Sequence, residues 1–240
     1  MNWYSILIGI GASLAIWQII VHRQEKEDFH WAFSGLWVLL GSWLGARLAY
    51  FIWQPAALVD SGWQAVSFQQ GGMVWPGAVV GAWITIVILT LFNKKTFLET
   101  TDRLIVMLPA LAIMVWMAAW FSGSAYGQVM QNSWWVPISM DDQFRYLPRF
   151  PLQIIAAGSL FLLLINFEPH ISKRRTGIKT LVIWTLFSIH SLIFSYLRAD
   201  YRPEWSGIAW DIWFVYLCLV WAVVLFGMVY FTSRRQPNPE

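Results

Sequence analysis

Arg47 stands inside an apolar block of the chain, six residues before that block ends at Trp53. At 1.5 Å per helical residue it sits about 9 Å below the end. A cation at that depth is expensive, about 2.5 to 3.5 kcal/mol at a span centre on insertion scales and less toward the interface. Two arrangements would compensate it: snorkelling to the outer headgroups, or service as a fixed cation that holds a lipid phosphate. Arg149, Arg198 and Arg202 border apolar blocks on the same side of the chain's alternation. Converging guanidiniums suit phosphate because their forked donors bind its oxygens in pairs. Taken singly, each also reads as a solvated loop charge. Gln153, two residues after Pro151, adds an uncharged donor at the same depth.

His190 falls near the middle of another apolar block, where an imidazole either hydrogen-bonds to a neighbouring helix or has a functional use. Thr185, Ser188, Ser191 and Ser195 follow one another at helical spacing on a stripe that excludes His190; hydroxyls so placed usually bond back to their own helix. The four histidines and the single Cys218 show no metal-ligand spacing, and there is no glycine-rich nucleotide loop or nucleophile elbow. Neither a metal nor a cofactor is expected.

Holding such groups requires membrane helices. The 240 residues are 58% apolar and only 12% charged, far from the roughly 25% charged residues of a soluble domain. Blocks of the length needed to cross roughly 30 Å of hydrocarbon predict spans over 4–21, 30–53, 73–92, 104–121, 151–167, 180–197 and 211–231. The first block lacks a basic leader and a cleavage site and reads as a retained helix. The reading is a single all-α integral membrane domain over 1–240, a seven-transmembrane-helix bundle with a polar tail over 232–240. Eleven of the sixteen Lys and Arg fall in alternate connections: Arg23 and Lys26; Lys94, Lys95 and Arg103; Lys173 to Arg175 and Lys179; Arg234 and Arg235. The positive-inside rule makes that side cytoplasmic, with the C-terminus inside and the N-terminus outside.

The outer connections, 54–72 and 122–150, are the long ones; the second carries Tyr126, Asp141, Asp142, Arg145 and Arg149 and has no obvious secondary structure. Gly41 and Gly45, and Gly77 and Gly81, are small pairs four apart that let helices approach closely in lipid. The eighteen tryptophans suit an interfacial belt. No basic patch or reading motif accompanies the pI near 9.1, which excludes nucleic acid as a partner. A channel or transporter would need more ionisable groups within the spans than Arg47 and His190.

Four segments, in order along the chain, resemble the prolipoprotein diacylglyceryl transferase family. Trp3-Tyr4-Ser5 resembles its Trp-Tyr-Gly, and Gly45-Ala46-Arg47-Leu48-Ala49-Tyr50 its Gly-Gly-Arg-x-x-Tyr. Gly71-Gly72-Met73-Val74-Trp75-Pro76-Gly77 resembles Gly-Gly-Met-x-Phe-His-Gly, and Pro148-Arg149-Phe150-Pro151-Leu152-Gln153 resembles Pro-Arg-His-Pro-x-Gln. Weaker echoes are Asp102 with Pro109, Tyr126-Gly127 for Trp-Gly, and Leu197-Arg198 for Phe-Arg. The resemblance implies a multi-pass protein of the bacterial cytoplasmic membrane. Its implied reaction moves diacylglyceryl from phosphatidylglycerol to the lipobox cysteine thiol of a preprolipoprotein, and glycerol phosphate leaves. The implied partners are phosphatidylglycerol or another anionic phospholipid and the preprolipoprotein signal peptide. By position the resemblance assigns Arg47, Arg149, Gln153 and Gly127 to the lipid phosphate and leaves Tyr4 and Arg198 as candidates for catalysis.

Three departures bear on activity. The family's motif histidine is Pro76 here, its essential Arg before the Gly-Asn-Phe-Ile-Asn-Gly-Glu run aligns with Trp116, and its second essential Arg aligns with Ser191, one turn beyond Phe187 in place of Tyr. The alternative expectation is a non-catalytic lipid- or lipoprotein-binding member of the same fold that assists another membrane protein.

Overall fold

The computed structural model describes residues 3–21, 29–55, 73–93, 95–171 and 176–235. Arg23, Lys26, Lys94, Lys173 to Arg175, Gly71, Gly72, most of the connection 54–72 and the tail from Gln236 lie outside these residues. Among the described residues eight helices follow one another: α1 Trp3–Val21, α2 His30–Trp53, α3 Trp75–Asn93, α4 Phe97–Leu104, α5 Met107–Ser122, α6 Leu152–Ile171, α7 Ile178–Leu197 and α8 Trp210–Arg235. Among them α1, α2, α3, α7 and α8 are long and apolar enough to cross a membrane, and α4 with α5, bent by 42°, would make a sixth span. The described apolar part of α6 covers Leu152–Leu163. Five to six spans is therefore what the described residues carry, where hydropathy predicts seven.

The expected fourth span, 104–121, needs correction. Its helical path begins upstream at Phe97, where Thr96 and Glu99 form a reciprocal capping box. The path then breaks after Leu104. Pro109 has no N–H to return to the carbonyl of Ile105 and its ring crowds that carbonyl, so the turn ahead of it cannot stay α-helical. Leu108 bonds back to Ile105 by a three-residue step instead, at 3.0 Å. The spans are all helical as expected, and among the described residues two small antiparallel hairpins lie in the connections between them. β1 Ile138–Met140 pairs with β2 Tyr146–Pro148, and β3 Glu204–Trp205 pairs with β4 Ile208–Ala209. The second turns through Ser206 and Gly207, both at positive φ, the backbone that two-residue hairpins favour.

Helices α2 and α3 meet through their glycines. A Cβ on Gly45 would run into the carbonyl of Gly77, and one on Gly81 into the carbonyl of Gly41. Val74 donates to the Ala46 carbonyl at 3.3 Å where the two backbones touch. Lipid supplies no hydrophobic drive between helices, so this close approach is itself the stabilising term. Gly77→Val is expected to destabilise the bundle by about 1 to 3 kcal/mol, the usual range for overpacking. A thermal midpoint in detergent equal to that of the unaltered protein would count against this.

One end of the bundle gathers α1's start, α2's end and α8's start. Trp3 lies 5.9 Å from Phe121 at the end of α5, and Trp53 lies 4.3 Å from Trp210 between ring centroids. The end of α7 joins them, since Ala199 donates to the Tyr126 carbonyl at 2.8 Å. At the opposite end Asp102 of α4 accepts from the Gly177 and Thr180 backbone and from the Thr180 hydroxyl, at 2.5, 2.7 and 2.6 Å. That carboxylate satisfies donors left open at the start of α7, where negative charge is favoured.

Candidate functional site

The polar groups cluster at the end that holds Trp3, Trp53 and Trp210. Helix α5 ends there at Gly123, in the left-handed conformation with φ 66°, and a Cβ at Gly123 would lie 2.8 Å from the Asp141 carbonyl oxygen. Glycine thus lets the chain turn sharply into the connection and lets the β1–β2 hairpin fold back against the turn. Phe150 donates to the Gln128 carbonyl and Met130 to the Pro148 carbonyl, while Arg149 donates to the Pro137 carbonyl, so the connection 123–150 is ordered by its own backbone bonds.

Asp141 is the organising carboxylate of that connection. It is 1% exposed and accepts from the Gln143 and Arg145 backbone, from Arg145 Nε at 3.0 Å and from Arg149 Nη2 at 2.9 Å. Burial pushes its pKa up. The hydrogen bonds from Arg145 and Gln143 and the Arg145 charge outweigh that and hold it below the usual carboxylate value. A depressed folded pKa means that its stabilising contribution is complete above about pH 4, the ordinary aspartate value, and is lost as pH falls through the lower folded value. The connection is expected to resist proteolysis at pH 5 to the same degree as at neutrality, and loosening above about pH 4 would contradict this.

Arg149, 4% exposed, also lies over the Tyr126 ring at 4.2 Å and donates to the Gly127 carbonyl at 3.4 Å. The Tyr126 hydroxyl donates to Asp142 at 2.9 Å; burial first, and then that carboxylate, push the phenol up to about 12. Gly127 has no room for a side chain, since a Cβ there would stand 2.6 Å from the Phe150 carbonyl. Gln153 at the start of α6 donates to the Ser124 carbonyl at 2.9 Å. Its Oε1 has no hydrogen-bond partner among the described residues. Arg149, Gly127 and Tyr126 are thus in mutual contact, and Gln153 is tied to the same connection through Ser124.

Arg198 and Arg202 form a second cluster beside it. Arg198 grips Asp200 with two donors, at 2.9 and 2.5 Å, and reaches Asp211 at 3.3 Å; Arg202 donates to both Asp211 oxygens at 3.0 Å. Burial opposes the Arg198 charge, but Asp200 and Asp211 more than offset it and raise its pKa further. These acids were not among the residues singled out in the sequence, although Asp211 opens the last apolar block.

Arg47, 6% exposed on α2, lies near enough to the Tyr4 hydroxyl on α1 for the two to interact electrostatically. Pro76 is buried in the first turn of α3, a position that tolerates a missing N–H. Trp116 packs with Phe194 at 5.8 Å and against Leu152 and Ala156. Phe187 lies against Trp75 and Trp184. Ser188, on the hydroxyl stripe, bonds back to the Trp184 carbonyl at 2.8 Å, the packing role expected of it. The arginines at this end of the bundle therefore fall into an Arg47–Tyr4 pair and two carboxylate-bridged clusters. The first is built to hold a charge within a span. The other two tie together the connections at that end.

A family model described as prolipoprotein diacylglyceryl transferase matches residues 1–233. A phosphatidylglycerol–prolipoprotein diacylglyceryl transferase of Lactococcus lactis subsp. lactis is 28% identical over 74% of this chain and 70% of its own length. The protein of the same description from Enterococcus faecalis is 26% identical over 98% of this chain and 87% of its own. That from Ectopseudomonas mendocina is 23% identical over 99% and 91%.

Proposed function

The chain belongs to the prolipoprotein diacylglyceryl transferase family, and from that premise we propose that it moves the diacylglyceryl group of phosphatidylglycerol to the lipobox cysteine thiol of a preprolipoprotein. The setting is the bacterial cytoplasmic membrane, crossed seven times by a single domain, with the N-terminus outside and the polar tail in the cytoplasm. The thiolate sulfur attacks the diacylglyceryl carbon, the carbon–oxygen bond to phosphate breaks, and glycerol phosphate leaves. What a protein must add is a cation for the phosphate, a proton acceptor for the thiol and a lateral path for two lipid-like substrates.

The observation that carries the reading is Arg47, buried in α2 beside Tyr4, in the half of the bundle whose end also holds the Arg149 and Arg198 clusters. A guanidinium in low dielectric stabilises a phosphate far more than one in water. Gln153, with an open acceptor, and Gly127, which permits the close turn, shape the same end. Purified protein supplied with phosphatidylglycerol and a lipobox peptide should release glycerol phosphate and yield a thioether-linked diacylglyceryl peptide. Absence of both products, with anionic phospholipid still bound, would overturn transfer.

A second reading is favoured by one set of contacts. Arg149, Arg198 and Arg202 each face a carboxylate of this chain, and Trp116 and Ser191 stand where the resemblance puts guanidiniums. In that reading the protein binds lipid or lipoprotein without chemistry and assists another membrane protein. The transfer assay separates the two directly.

A further inference from the structure

His190 is the inward-facing imidazole of the described bundle, 4% exposed on α7. Its Nε2 lies 3.1 Å from the Ala156 carbonyl and 2.9 Å from the Ser159 hydroxyl, both on α6. The Ser159 hydroxyl itself donates to the Ala156 carbonyl at 3.0 Å. These three contacts settle where the ring proton sits. A carbonyl only accepts, so the atom facing Ala156 must carry hydrogen, and Ser159, with its own proton already directed to that carbonyl, offers Nε2 a lone pair. Nε2 is thus the N–H, shared between two acceptors. The other nitrogen, Nδ1, holds a bare lone pair and has no partner among the described residues. Phe194 stacks on the ring at 4.3 Å and Trp116 meets it edge-on at 6.4 Å, so its orientation is fixed from both sides. No charged side chain among the described residues acts on it.

A buried acceptor held in one tautomer, with its lone pair unspent, has the form of a general base. Its depth fits. His190 lies seven residues before the end of α7 and Arg47 six before the end of α2, and both helices end at the same end of the bundle. At 1.5 Å per residue they lie about 10.5 and 9 Å below that end. The proposed reaction needs a proton acceptor at such depth, and the described spans hold no carboxylate there: Asp211 sits at the start of α8 in its arginine bridge, and Glu99 and Asp102 lie on α4.

Resting on the transferase reading, we propose that His190 Nδ1 is the base that takes the proton from the incoming cysteine thiol, with Ser159 positioning the ring. The thiol S–H bond breaks, its electron pair stays on sulfur, and sulfur forms the new bond to the diacylglyceryl carbon. The pair of the broken carbon–oxygen bond goes to the phosphate oxygen. The imidazolium returns its proton to that oxygen, and glycerol phosphate leaves as the monoprotonated phosphate.

His190→Gln is the discriminating substitution, because the glutamine amide nitrogen reaches the Nε2 position and keeps the bonds to α6 while supplying no base. Transfer in the variant is expected to fall by about 10²- to 10⁴-fold, the usual weight of a general base, with the thermal midpoint and phosphatidylglycerol binding retained. A glutamine variant within a few-fold of the parent, in a preparation where the parent transfers, would overturn the inference and leave the transferase reading standing. A parent that transfers nothing would sink the transferase reading first. Nitrogen chemical shifts of labelled His190 give a readout independent of turnover: a protonated Nε2 and bare Nδ1 are expected, and a protonated Nδ1 would overturn the assignment.

Discussion

Arg47→Ala is expected to reduce diacylglyceryl transfer by about 10²- to 10³-fold, the weight typical of one preorganised donor aimed at developing charge. The leaving group here is a phosphate whose negative charge grows as the carbon–oxygen bond breaks, in surroundings with little water to screen it. The loss cannot be attributed to a damaged helix. Removing a cation from a span eases insertion by up to about 2.5 to 3.5 kcal/mol, and the α2–α3 contact just before Arg47 in the chain is built from Gly41 and Gly45, not charge. Activity should therefore fall while the thermal midpoint holds or rises. Arg47→Lys should restore only part of the rate, because an ammonium presents a point charge where the guanidinium presents a planar fork. A variant that transfers normally would remove Arg47 from the site and shift attention to the two outer clusters.

Helices were the most legible feature of the sequence, because hydrocarbon demands an unbroken apolar length and leaves few alternatives. The expected block over 30–53 coincides with α2, and that over 73–92 differs from α3 by two residues at one end and one at the other. Close approach of α2 and α3 was legible from the same physics, since only small residues four apart admit it. The bend ahead of Met107 was harder to see because Pro109 lies within an apolar stretch, and hydropathy is blind to a missing N–H. A signal was available in Thr96 and Glu99, whose three-residue spacing marks a helix start. The hairpins were not legible, because strands of two or three residues carry too little alternation to register.

The candidate site was legible in its cations and not in their partners. Depth along a span singles out Arg47 from sequence alone. Whether Arg149, Arg198 and Arg202 point at a ligand or at the protein's own carboxylates depends on how the chain turns over the 8 to 13 residues between the partners. Asp141 is reached through a hairpin turn, and Asp211 through the β3–β4 hairpin that returns the chain to α8. Guanidiniums that converge on phosphate and guanidiniums that converge on aspartate have the same residue types at the same spacing, so only the fold separates them.

Asp211→Ala tests that separation and carries the largest expected effect on stability. Its carboxylate, 3% exposed, bridges Arg198 and Arg202 at 3.3 and 3.0 Å, and their side chains are themselves 15% and 14% exposed. Removing one partner of a buried ion pair leaves uncompensated charge and costs about 3 to 5 kcal/mol. Asp200 still holds Arg198, so the loss should lie toward the lower bound and fall mainly on Arg202. The thermal midpoint should drop accordingly, and Asp211→Asn should lose less, since the amide oxygen still accepts from one donor. The same substitution releases a guanidinium at the end of the bundle assigned to phosphate. If these arginines serve the fold by being neutralised internally, the alanine variant should bind anionic phospholipid more tightly than the parent even as it becomes less stable. If instead the aspartate only aims them at the lipid, affinity should fall with stability. Vesicle binding at matched ionic strength, with phosphatidylglycerol against a zwitterionic control, reads the sign. Only the first sign makes the outer clusters struts for the connections, leaving the charge chemistry to Arg47.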